Sequence, residues 1–310
     1  MMTGGNEFTL AVLLLVIGVV LTITEPRFAT LGNISNILLD VSQTVIVGIG
    51  MTMVILTAGI DVSVGSALAV CAVVVAQAVN AGATLPVAVL VGLAVGTIIG
   101  LVNGFLVAIG RIHPIIVTLG MLNILRLVSF KLQGGEWITG LPSTLSYLGN
   151  GEILGLPVSW WIALILVTLA TIFLRWRPSG RHIYAIGGNA ESARLAGINI
   201  RMMIISVYAL TGLLVGLAAA IYVGGQGQVQ TNVGTGFELE VIAAVVIGGT
   251  SILGGKGSVV GTLLGALLVA TISNALIVVN APPLLEGLVL GVLIILALVL
   301  DRIRRRRRVA

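Results

Sequence analysis

The sequence predicts an all-α, polytopic membrane protein of about ten transmembrane helices. Three observations carry that expectation. Hydrophobic residues make up 58% of the 310 residues and charged residues 9%, whereas a soluble domain carries about 25% charged residues. A globular surface in water cannot absorb that much apolar area, and the mean hydropathy of +1.18 agrees. The apolar residues also fall into runs near the ~20 residues that a helix needs to cross a bilayer. Finally, the charges are distributed unequally between alternate loops.

The runs follow in order. Residues 8–24 have no basic stretch before them and no small-residue cleavage site after them, so a first span is expected and not a cleaved leader. Residues 36–58 and 62–79 flank GIDVSVGS (59–66), a break at Gly59 where Asp61 can cap the next helix. Ion binding is the other role open to Asp61. Residues 85–109 carry Gly92, Gly96, Gly100 and Gly104 at spacing four, the pattern of close helix contact. Residues 114–131 carry Thr118, Asn123 and Arg126, spaced by five and three and read as roughly one helix face. The Gly- and Pro-bearing stretch 132–157 is expected as a short structured loop on the membrane surface. Residues 158–174 and 202–223 are further spans. Residues 239–253 are short and run into GGTSILGGKGS (248–258), with a break at Gly254 and Gly255. A tilted, broken or partly re-entrant span is expected there, which is tolerable only with its backbone packed in protein. Residues 258–279 and 284–300 complete the ten.

Ten spans put both ends on one side. The tail RIRRRRR (302–308) marks that side as cytoplasmic and reads as an anchor near anionic lipid. The loops 110–113, 175–201 and 254–257 then lie inside, and every Lys and Arg except Arg27, Arg126 and Lys131 falls there. Glu25, Glu136, Glu152 and Glu238 fall outside. Trp137, Trp160 and Trp161 form an expected outer aromatic belt, and Trp176 lies at the inner one. Spans two to five and seven to ten run in opposite directions, as in transporters with inverted repeats. Their Gly-rich breaks at 59–66 and 248–258 do not fall at equivalent places.

Several chemistries are excluded. No basic patch is interleaved with aromatics, so nucleic acid is not an expected partner. Gly254-Gly255-Lys256-Gly257 is not a phosphate loop, because Thr250 and Gly257 stand where that motif needs Gly and Ser or Thr. One cysteine, Cys71, and two histidines, His113 and His182 at the inner boundaries, make no metal cluster or disulfide. No paired catalytic groups are present, so an enzyme is not expected, and no cofactor is expected on this chain.

The loop 175–201 stands out as polar. Asn189 suits an N-cap, Glu191 the first turn, Arg194 the last turn and Gly197 the C′ position, giving a helix from about Ala190 to Ala196. Two turns do not persist alone in water. The helix therefore docks, on its own membrane domain or on a partner.

GNAESARLAGI (188–198) resembles the cytoplasmic coupling loop of bacterial ribose-type ABC sugar permeases. TAGIDVSVGS (57–66), GGTSILGGKGSVVG (248–261) and HPIIVTLGMLNILR (113–126) are similar to that family as well, in order and across nearly the whole chain. Within it, GGEWITGLP (134–142) looks most like the rhamnose-type and autoinducer-2-type permeases. The N-terminal MMTGGNE departs, lacking the basic residues expected there.

The resemblance implies a type II ABC importer-like permease domain over 1–310, with a coupling loop at 175–201 and a basic cytoplasmic tail at 301–310. It implies a bacterial inner membrane, a second permease subunit, identical or homologous, and two cytoplasmic ABC ATPase subunits that bind ATP and Mg. A periplasmic sugar-binding protein would deliver a monosaccharide or related polyol. Asn189, Ala190, Glu191, Arg194, Leu195 and Gly197 would couple to the ATPase.

Polar residues inside spans are the candidate path: Asn103, Thr118, Asn123, Arg126, Ser273 and Asn274. Hydrogen bonding between helices is the other reading for each, and snorkelling to the surface is the other reading for Arg126. An ion-coupled carrier working alone is the alternative function. It would need a working intramembrane carboxylate, with Asp40 and Asp61 as candidates.

Overall fold

The computed structural model describes the backbone of residues 4–282 and 284–309. Helices α1 (Gly4–Thr24), α2 (Leu31–Leu56), α3 (Val64–Asn80), α4 (Leu85–Ala108) and α5 (Pro114–Gln133) come first. A surface segment follows, with α6 (Ser146–Asn150) and a hairpin of β1 (Glu152–Ile153) and β2 (Leu156–Pro157). Then come α7 (Val158–Trp176), α8 (Pro178–Gly188), α9 (Ala190–Leu195), α10 (Ile200–Gln226), α11 (Phe237–Ile247), α12 (Val259–Val278) and α13 (Leu284–Val309). Each of the ten expected spans therefore contains a helix, although α11 ends at Ile247, within the expected span 239–253. Among the described residues seven helices are long and apolar enough to cross a membrane, while α3 and Leu284–Leu296 are shorter apolar helices. The backbone of α13 continues through 302–308; the side chains of that basic run lie outside the described residues.

α2 is apolar from Val45 to Leu56 but for Thr52 and lies buried along most of its length, whereas no residue in the apolar window of α1 is buried. A helix that is hydrophobic all round belongs in an interior, or against lipid. Leu90, Ile98 and Phe105 of α4, and Ile116, Ile124 and Leu127 of α5, are likewise exposed.

α4 lies along α10, and the glycine stripe explains how. A Cβ on Gly96 would strike the Gly212 carbonyl oxygen, and one on Gly212 would strike that of Gly96. Gly92 and Gly216 repeat the arrangement one turn away, and a Cβ on Gly104 would come within 2.9 Å of the Ile205 Cα. Backbones this close gain dispersion contacts that lipid cannot replace. On the other side of the centre, α12 packs on α2 through Thr262, whose hydroxyl lies 2.7 Å from that of Thr52.

The halves α2–α5 and α10–α13 pair off in the same order. α3 packs on α5 as α11 packs on α13, and α4 crosses onto α10 as α12 crosses onto α2. Their breaks correspond too, but the second lies at 227–236, between α10 and α11, and not at 248–258. The latter stretch joins α11 to α12, the place that residues 81–84 take in the first half.

The expected span 239–253 is corrected by this arrangement. α11 has 11 residues and spans about 16 Å, half of a ~30 Å hydrocarbon core. Residues 228–236 complete the crossing without helix. Gln133 Nε2 donates to the Val229 carbonyl at 2.7 Å, and Arg126, two turns earlier on α5, donates to the Val233 carbonyl at 2.6 Å. The chain thus descends about 10 Å along α5 between those carbonyls. Glu238 is therefore not in an outer loop. It sits in the first turn of α11, and a Cβ on Gly65 would strike its Oε2.

Candidate functional site

At one end of the bundle α8 and α9 lie across the ends of the spans. Asn189 caps α9, its side-chain oxygen accepting from the Ser192 N–H at 2.9 Å. Gly197 follows the helix with φ +82°, a conformation that glycine adopts without strain. Arg194 and Glu191 form a two-pronged ion pair, Nη2 to Oε1 at 2.6 Å and Nε to Oε2 at 3.0 Å. That bond from Arg194 holds the Glu191 carboxyl below the usual carboxylate range. Only Ala193 of α9 is buried; Ala190, Glu191, Ser192, Arg194 and Leu195 face outward, with Leu195 75% exposed.

α8 was not foreseen. It carries Gly180, Gly187 and Gly188 and has little intrinsic helix preference. Packing makes it: Ile183 and Ile186 are buried, and a Cβ on Gly187 would strike the Leu56 carbonyl oxygen. The Tyr184 hydroxyl donates to the Gly257 carbonyl at 3.0 Å, and the Gly255 N–H donates to the Leu56 carbonyl at 2.9 Å. Thus α8 meets the end of α2 and the loop 248–257 at one point. Gly254 and Gly255 have φ +84° and +71°, which suits a loop pressed against backbone. No sequence period marks this junction, because its closest contacts are made by main chain.

The candidate path residues separate in space. Thr118 is fully buried and donates to the Pro114 carbonyl at 3.0 Å and to that of Ile60 at 3.3 Å. Asn123 is exposed and donates to the Leu119 carbonyl at 2.9 Å. The expected single face is corrected: a spacing of five turns a residue about 140° round a helix, so Thr118 and Asn123 point to different sides. Asn103 is buried and donates to the Ser63 hydroxyl at 2.9 Å. Asn274 exchanges two 2.9 Å bonds with Asn33 of α2, and Ser273 is half-buried beside it. Asp61 does not cap α3 directly. Its Oδ1 accepts from the Ser63 N–H at 2.9 Å and from the Ser63 hydroxyl at 2.6 Å, a local turn in which Ser63 is the N-cap. Gly59 lies close below Tyr208, whose hydroxyl a Cβ would approach to 3.0 Å. His113 is exposed and His182 half-buried. Among the described residues no group of His, Cys, Asp and Glu could hold a metal.

Residues 33–298 match the family described as the branched-chain amino acid transport system / permease component. The ribose import permease protein RbsC of Escherichia coli (strain K12) is 42% identical over 300 residues, covering 96% of this chain and 93% of that protein. RbsC of Bacillus subtilis (strain 168) is 36% identical over 291 residues, 93% of this chain and 90% of the relative. The autoinducer 2 import system permease protein LsrC of Salmonella typhi is 35% identical over 298 residues, 96% of this chain and 86% of the relative. No solved structure matches. Both names describe import permease proteins, which favours the importer reading over a free-standing ion-coupled carrier. With a helical bundle that crosses a membrane many times and a match of this extent, the chain belongs to the family of transport-system permease components.

Proposed function

We propose that the chain is the membrane-spanning subunit of an ATP-driven, binding-protein-dependent importer for a monosaccharide or related small polyol. Ribose-type and autoinducer-2-type cargo are the two chemistries named by its relatives. Both cargoes carry several hydroxyls. Each hydroxyl loses water on entering lipid, at a cost of about 4–8 kcal/mol where no new partner is found. A path between polar side chains removes most of that barrier without trapping the cargo.

The chain works with a second permease subunit, two cytoplasmic ABC ATPases that bind ATP and Mg, and a periplasmic binding protein. It lies in the bacterial inner membrane with both termini in the cytoplasm. α9 is the docking element, through Asn189, Ala190, Glu191, Arg194, Leu195 and Gly197. The observation that carries this reading is the capped, exposed two-turn helix seated by α8 on the ends of the spans. Asn103, Thr118, Asn123, Arg126 and Asn274 remain the candidates for the path. Among them Asn123 alone is exposed in this conformation, the others being buried or half-buried, so their access depends on helix movement.

A single cysteine at Leu195 tests the docking. Cys71 is the only native cysteine and is buried, so labelling reports the new thiol. Leu195→Cys is expected to cross-link to the ATPase in native membranes. A label that reaches solvent freely in the assembled complex contradicts the reading.

A further inference from the structure

We infer that Tyr184 is a positioning residue that carries movement of α9 to the loop 248–257, and through that loop to the half-length helix α11. The inference deepens the importer reading and rests on it.

Three backbones meet closely at this joint, the end of α2, the loop 248–257 and the end of α8, with the Ala58 methyl beside Gly254. The Gly255 N–H binds the Leu56 carbonyl at 2.9 Å. A Cβ on Gly254 would lie 3.0 Å from both the Ala58 nitrogen and the Gly187 Cα. Glycine surfaces of this kind let backbones approach closely, but they do not interlock. The directional contact is the Tyr184 hydroxyl on the Gly257 carbonyl, at 3.0 Å. It sets where α8 stands on the loop. Burial pushes the Tyr184 hydroxyl above its ordinary pKa, which keeps it a donor at any physiological pH.

The loop is built to transmit. Ser251 N–H donates to the Lys256 carbonyl at 2.8 Å, and Gly254 N–H to that of Ser251 at 2.9 Å. At its end the Ser258 hydroxyl accepts from the Gly261 N–H at 2.9 Å and donates to Glu7 Oε1 at 2.5 Å. These bonds leave little slack between Gly257 and α11. α11 has only 11 residues, and its far end continues into non-helical chain. Among the spans it is the element least restrained by its own length, so displacement of the loop moves it first.

The test uses the complete complex of permease, ATPases and binding protein in nanodiscs. Spin labels are placed on cysteines replacing Leu253 in the loop and Ile112 between α4 and α5, both exposed. Addition of ATP is expected to shift the Leu253–Ile112 distance distribution. Tyr184→Phe keeps the ring and removes one bond; it is expected to abolish most of that shift, while a Leu195→Cys cross-link to the ATPase persists. Gly188→Ala, where a Cβ meets nothing within 4 Å, is expected to keep the shift. The same shift in Tyr184→Phe overturns the inference, as does the absence of any shift in the parent complex. Failure of an ATPase to associate with the chain instead overturns the importer reading beneath it.

Discussion

Arg126 of α5 donates from Nη1 to the carbonyl of Val233 at 2.6 Å, tying a continuous helix to the non-helical chain that leads into α11. Val233 is 4% exposed, so without Arg126 its carbonyl loses its partner in a place with little water. An unsatisfied buried acceptor costs about 1–3 kcal/mol. Arg126→Ala is therefore expected to raise amide exchange across 228–236 by roughly ten- to a hundredfold, leaving exchange in α4 and α10 unchanged. Hydrogen-exchange mass spectrometry in nanodiscs reads this directly. Equal exchange in the two proteins removes the clamp from the account.

Close packing of α4 on α10 makes a second expectation. Gly96→Ala drives a methyl into the Gly212 carbonyl, which is backbone and cannot rotate away. Overpacking of this kind costs about 1–3 kcal/mol. Gly120→Ala, with nothing within 4 Å of the new Cβ, removes backbone freedom without a clash. It is neutral or stabilising by up to about 1 kcal/mol. Thermal denaturation in detergent should separate the two variants, Gly96→Ala melting below the parent and Gly120→Ala at or above it.

The pH dependence of α9 follows from Glu191. The bond from Arg194 holds its folded-state pKa below the unfolded value, so its contribution is complete above the ordinary carboxylate pKa of about 4.3. It is lost as pH falls through the depressed folded value. Mobility of a spin label at Ser192→Cys should stay flat from pH 8 to about pH 5 and rise only below about pH 4. A rise between pH 7 and 6 assigns control to another group.

Sidedness is open to thiol labelling. With Cys71 buried, a cysteine at Ser192 in α9 should react with an impermeant maleimide only from the cytoplasm. One at Gly155, in the hairpin at the opposite end, should react only from the periplasm. The reverse pattern overturns the topology drawn from the basic loops.

Most of the spans were legible because span length and apolarity are local quantities, visible in runs such as 85–109 and 202–223. α9 was legible for a different reason: Asn189, Glu191, Arg194 and Gly197 form a complete set of helix-end signals within nine residues. α8 was not, because its glycines argue against a helix until the backbones of Leu56 and Gly255 are placed beside them. The segment 228–236 read as part of an outer loop because it falls between the expected spans 202–223 and 239–253. Partners on α5, distant in sequence, hold it inside the bundle. Spacing along α5 misled for Thr118 and Asn123, where five residues look like near neighbours but stand about 140° apart. The rule throughout is that local signals fix where helices begin and end, and main-chain contacts between distant segments fix the breaks.

The central claim is that this chain supplies the path and its joint while another chain supplies the energy. Reconstitution into liposomes tests it most directly, with ribose and the autoinducer-2 molecule as probes. The purified chain alone should hydrolyse no ATP and accumulate neither probe under a proton or sodium gradient. Adding the ATPase, binding protein and ATP should bring uptake of one of them, and Glu191→Arg or Gly197→Pro should abolish that uptake while the chain still inserts. Accumulation by the isolated chain under an ion gradient, or undiminished ATP-driven uptake in both variants, would contradict it.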